Sequence, residues 1–184
     1  MYKGVILMSL LFMLSCGENN QSQAQKEQGK QADQSILQGS IEKLEAELSA
    51  NTDGKVDQIK AQELIDKSVE YVKAFPNDTK SPVYLFRSAE VCVGIGQYES
   101  AIKHWEQVKK DYSNHEKAAI ALFLQGFTCE NQINDKNRAK KYYQDFLTRY
   151  PKHEYNDQVQ MLLKNIDISP EELIKQFKEQ RENQ

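Results

Sequence analysis

Tyr98-x-x-Ala101-x-x-x-Trp105-x-x-Val108 and, one period later, Arg138-Ala139-x-x-x-Tyr143-x-x-Phe146 decide how this chain folds. In each copy a small residue is followed by a large aromatic four residues on and an apolar residue three further. That spacing puts all three on one helical face. Each copy closes on an aromatic and a helix stopper, Tyr112-Ser113 and then Tyr150-Pro151, and an earlier Phe75-Pro76 holds the same place. The period is about 37–38 residues, the range in which stacked supersecondary units occur, each unable to bury its apolar face alone.

Working outward, helices are expected over 82–95 and 98–112 as one pair and over 115–132 and 136–150 as a second. Gly96 ends the first of these, since glycine accepts the left-handed cap conformation. Ala89, Ala101, Gly126 and Ala139 mark places where paired helices come close. Upstream, Leu37, Ile41, Leu44 and Leu48 make one helical face from about Ser35, and Asn51-Thr52-Asp53-Gly54 stops it. A helix over 55–75 follows, with Ile65, Val69 and Val72 as its stripe, and Pro76 breaks it. Downstream, Val159, Leu162, Leu163 and Ile166 stripe a helix over 154–166. Ser169-Pro170-Glu171-Glu172 then opens a last helix, whose Leu173, Ile174 and Phe177 are expected to face inward as a C-terminal cap.

These residues resemble the tetratricopeptide repeat. The family's small helix A residue matches Ala89 and Gly126, its loop glycine Gly96, its helix B alanine Ala101 and Ala139, its large aromatic Trp105 and Tyr143, and its closing proline Pro151. Ser113 stands in place of one closing proline. The second unit has one extra residue between Gly126 and Ala139, and its loop reads Asn134-Asp135. The resemblance implies an all-α, right-handed helical-hairpin solenoid of about three repeats plus a C-terminal capping helix, over residues 35–182. The family lines its concave groove from helix A at fixed offsets. Those offsets give Val83, Phe86, Glu90 and Val93, then Ile120, Phe123, Phe127 and Glu130, as the partner groove. Phe86, Phe123 and Phe127 either floor that groove or belong to the core between helices.

The chain opens with Lys3 and the apolar run Val5–Leu14, too short to span a bilayer that needs roughly 20 apolar residues. Ser15-Cys16-Gly17 after that run resembles the lipobox of bacterial lipoproteins. The resemblance makes residues 1–15 a signal peptide and Cys16 a lipidated mature N-terminus, and Gly17 in place of Asp leans toward the outer membrane. Residues 16–34 then read as the lipidated cysteine and a tether. From Gly17 onward they are rich in Gln, Lys and Glu, with no large apolar side chain, and are expected to be disordered.

The formal charge is −3, so no basic excess supports nucleic-acid binding. Cys92 and Cys129 hold equivalent repeat positions and read as buried thiols. His104, His115 and His153 have no ligand at metal-binding spacing, and no nucleophile motif or phosphate loop occurs. No catalytic, cofactor or metal site is expected. Lys136, Arg138, Lys140 and Lys141 read as a solvated helix face. The tether, lipobox and repeats together look like the tetratricopeptide lipoproteins of Bacteroidota-type bacteria. More distantly they resemble the tetratricopeptide proteins of outer-membrane assembly and cell division. The implied function is a membrane-anchored adaptor for protein partners at the cell envelope, not an enzyme. The alternative is a small-ligand- or glycan-binding lipoprotein accessory to nutrient uptake.

Overall fold

A computed structural model of the chain describes residues 18–50 and 54–182. The expected signal peptide, Cys16 and the turn residues Asn51–Asp53 lie outside them. The described residues form α1 (Glu18–Ser49), α2 (Gln58–Ala74), α3 (Ser81–Gly94), α4 (Tyr98–Asp111), α5 (Lys117–Asn131), α6 (Lys136–Arg149), α7 (Asn156–Asn165) and α8 (Pro170–Glu182), with no strand among them. Each helix from α1 to α6 packs on the next, and α3 also touches α5. The result is an all-α helical-hairpin solenoid, with α1, α3, α5 and α7 as one row and α2, α4 and α6 as the other.

The repeat is visible atom by atom in its turns. At the end of α3 the Gly96 amide donates to the Val93 carbonyl (3.1 Å) and the Gln97 amide to the Cys92 carbonyl (2.8 Å), with Gly96 at φ +78°. This is the Schellman closure that needs a left-handed residue. At the end of α5 the same job falls to Asn134, at φ +58°. There the Asp135 amide reaches the carbonyl of Cys129, the counterpart of Cys92, at 2.8 Å. The extra residue of the second unit is absorbed inside this loop. Asp135 then caps α6, its side chain accepting from the Arg138 amide at 2.9 Å.

The turns between hairpins carry a second recurring device. Asp78 Oδ1 accepts from the Lys80 amide (2.8 Å), His115 Nδ1 from the Lys117 amide (3.2 Å), and His153 Nδ1 from the Tyr155 amide (3.2 Å). Each of these residues sits three positions after the closing aromatic. Two of the three histidines are therefore turn caps.

Three buried clusters run along the array. Ile41, Leu44, Leu64, Tyr71, Phe75 and Tyr84 join α1 to α2 and α3. Trp105, Leu85, Ala89, Ala101 and Val108 fill the middle. Tyr143, Phe146, Leu122, Ala139, Val159 and Ile166 fill the far end. Gly126 marks a close approach: a Cβ placed on it would lie 2.6 and 2.7 Å from ring carbons of the buried Tyr143. Gly126 thus faces the aromatic of helix B, one turn beyond Ala139.

Two expectations fail. Residues 18–34 are not a disordered tether but the first half of α1. Gln, Ala, Lys and Glu bury little yet are strong helix formers, and the packed turns from Leu37 onward nucleate a helix that extends through them. Lys30 lies over the Phe75 ring at 5.8 Å, and Gln34 donates to Tyr71 Oη (2.9 Å) and Asp78 Oδ2 (2.8 Å). The other failure is Ile174. Ser169 caps α8 as expected, accepting from the Glu172 amide at 3.2 Å. Ile174, however, is 55% exposed instead of facing inward, and the side chains of Leu173 and Phe177 lie outside those described.

Candidate partner-binding surface

The residues expected to line a groove fall into different environments. Phe86, 4% exposed, sits in the core against Trp105, with ring centroids 6.4 Å apart. Phe123, 8% exposed, packs among Tyr143, Phe146 and Tyr155, the last at 5.4 Å. Neither ring floors a groove. The reason lies in the stacking. The Lys117 ammonium lies 5.3 Å over the Phe86 ring, and the residue equivalent to Lys117 in the next unit, Tyr155, covers Phe123. Each helix A roofs the ring of the helix A before it.

Phe127 is the exception at 39% exposed, with its ring 6.0 Å from Phe123. Val83, Val93 and Ile120 are half-buried, and the last two pack against the middle cluster. Glu130 is half-buried and accepts from the Tyr143 hydroxyl at 2.7 Å, so it holds a core ring in place. Glu90 is exposed among Arg87 and Lys117. Burial by the surrounding protein raises its carboxyl above the usual range, and the two cations pull against that rise.

Sequence reasoning missed the charges that border this strip. Arg87 Nη1 donates to both carboxylate oxygens of Glu45, at 2.9 and 2.8 Å, and ties α3 to α1 along one row. On the other row Arg138 reaches both oxygens of Glu99 at 2.6 and 3.0 Å and ties α6 to α4. Arg138 therefore leaves the solvated basic face, as does Lys140, which pairs with Asp167 at 2.7 Å. A carboxylate followed by an Arg about one period later was the available signal. The strip on α1, α3 and α5 thus offers Glu45, Arg87, Glu90, Lys117 and one exposed ring.

The chemistry elsewhere is quiet. Cys92 and Cys129 are free and buried, and burial pushes both thiols up to about 11. Ser88 gives its hydroxyl hydrogen to the Leu85 carbonyl (2.7 Å), so the 2.9 Å contact with His104 has Nδ1–H as donor. Burial lowers the His104 pKa and favours the neutral ring. Among the described residues no group of three or more His, Cys, Asp and Glu gathers as a metal site would require. A cleft of about 910 Å³ runs between the turns at Pro76 and Ser113. Of its carboxylates, Asp78 is already engaged by the Lys80 amide and Gln34, which leaves Asp111.

Residues 119–153, which cover most of α5, all of α6 and the turn to His153, match the tetratricopeptide repeat family. This chain carries a tetratricopeptide repeat. Comparison with curated proteins gives no match. The matched tetratricopeptide repeat contains Gly126, Asn134, Ala139, Tyr143 and the His153 turn, and the unit before it has the same architecture with Ala89, Gly96, Ala101, Trp105 and the His115 turn. Tetratricopeptide repeats generally mediate protein-partner binding, and all-helical repeat proteins of this kind are typically non-enzymatic scaffolds. The repeat supports a scaffold for protein–protein interaction.

Proposed function

We propose that the protein is a lipid-anchored scaffold of the cell envelope that holds a protein partner on the strip formed by α1, α3 and α5. The observation that carries the scaffold reading is the repeat architecture itself, with Phe127 exposed on the same row of helices that carries Glu90 and Lys117. A partner segment that buries one apolar side chain at Phe127 and presents charges of both signs further along suits this strip. Such central rings tend to dominate binding energy, and rim charges set association rate and salt dependence.

The anchor rests on the apolar run Val5–Leu14 followed by Ser15-Cys16-Gly17, and Gly17 after the cysteine favours the outer membrane. Among the described residues no helix is long and apolar enough to cross a membrane. A photo-crosslinker placed at residue 127 in the full chain, activated in native membranes, tests the scaffold reading. A discrete protein adduct that is lost in Glu90→Lys is expected. An adduct to lipid or glycan, or none, overturns it.

A further inference from the structure

The cleft between the turns at Pro76 and Ser113 has a lining of one character. The Tyr112 side chain reaches across it, its hydroxyl donating to the Pro76 carbonyl at 3.0 Å, so the ring is held between the two turns. Pro76 and Pro82 add further ring surface. Around them stand the amides of Asn77, Gln107 and Asn114 and the hydroxyls of Thr79 and Ser113. All of these polar residues are exposed, and none of their side chains is bonded to another described residue. His115 adds a donor. Its Nδ1 accepts from the Lys117 amide, so the proton of the neutral ring sits on Nε2. The volume of about 910 Å³ is that of a small-molecule cleft, which runs to roughly 300–1,000 Å³.

These groups discriminate between ligand classes. An anion would face the carboxylates of Asp78 and Asp111, and a cation would face the Lys73 ammonium. A protein segment gains most of its affinity from an anchor sunk in a desolvated pocket, whereas the polar lining here is open to water. Neighbouring hydroxyl groups of a sugar each donate and accept, as amide and hydroxyl side chains do. The C–H face of a sugar ring also lies well on an aromatic ring, through weak contacts that add to those hydrogen bonds. We propose that this cleft binds a neutral oligosaccharide. One sugar ring lies on Tyr112, and its hydroxyl groups are shared among Asn77, Gln107 and Asn114. The cleft shares no residue with the strip at Phe127, and the proposal does not depend on the anchor.

The test applies the detergent-solubilised full chain to an array of neutral hexose and N-acetylhexosamine oligosaccharides. Retention on at least one sugar is expected. Asn77→Ala and Asn114→Ala should each weaken the dissociation constant of the best-retained sugar about tenfold, the effect of a lost hydrogen bond. Both asparagines are exposed and neither has a positive φ, so these changes leave the fold intact. Gln144→Ala, exposed on α6, should change nothing. Titration with the same sugar should shift backbone amide resonances chiefly in residues 76–82 and 107–115. The proposal is overturned by no retention on the array, by retention that neither substitution weakens, or by shifts centred on Phe127. It is also overturned if a photo-crosslinker at residue 114, activated in native membranes, captures protein and no glycan.

Discussion

At the scale of single residues, the two glycines Gly94 and Gly126 make opposite predictions for the same substitution. A Cβ at Gly94 meets nothing within 4 Å, so Gly94→Ala should raise stability by about 0.5–1 kcal/mol through helix propensity and a less free unfolded chain. A Cβ at Gly126 meets the Tyr143 ring, which is buried and held by Glu130. Overpacking there costs ~1–3 kcal/mol and outweighs the propensity gain, so Gly126→Ala should lower the melting temperature. Thermal unfolding of both variants checks the pair, and shifts of the same sign would mean Tyr143 is not locked. The histidine turns predict something different. His115→Ala should cost about 1 kcal/mol, the usual worth of a capping acceptor, whereas His115→Asp should cost little because Asp78 already does that work one unit earlier. Denaturant midpoints of the two variants measure this. The small residues were legible in the sequence because they recur with the period. The turn caps recur too, as Asp78, His115 and His153, but a change of residue type hid a constant role: both an aspartate oxygen and an imidazole nitrogen can accept from an amide two residues on.

Among the elements, boundaries were the easier part to read. Gly96, Pro76 and Pro151 are local signals, and α2 to α7 begin and end within a few residues of where they place them. Burial of the groove rings was not local. Whether Phe86 and Phe123 are exposed depends on Lys117 and Tyr155, which belong to the next unit along, and no window on one helix contains that information. The consequence can be measured. Phe123→Ala should cost ~3–5 kcal/mol of folding stability, as a buried aromatic does. Phe127→Ala should cost about 1 kcal/mol or less and should instead abolish partner capture. Chemical denaturation and pull-down on both variants separate the roles; a large stability loss at Phe127 would put its ring in the core. The N-terminal helix was misread for a related reason. Composition reports what a segment can bury, whereas the helix over residues 18–34 extends from neighbouring turns that are already packed.

For the whole molecule, the anchoring proposal predicts that Cys16→Ala abolishes palmitate incorporation and releases the protein from membranes on a carbonate wash. Retention after the wash would point to a partner or another membrane contact instead. A stable hold from one residue needs more than one acyl chain there. The form of α1 adds a condition. The helix runs unbroken from Glu18, two residues after Cys16 in the sequence, to Ser49, and its last turns pack against α2 and are tied to α3 by Glu45 and Arg87. A coil between lipid and repeats would let the body turn in any direction. A continuous helix acts as an axle, and each residue added to it lifts the body about 1.5 Å and rotates it by about 100°. One residue inserted near Gln25 would swing the Phe127 strip well away from its bearing, and seven would bring it almost back while raising it about 10 Å. Partner capture in cells should therefore fall with one or two inserted residues and recover with seven. A smooth decline with length would show that the segment works as a rope. In the axle's case, the number of residues before Leu37 is a compass setting for everything the scaffold holds.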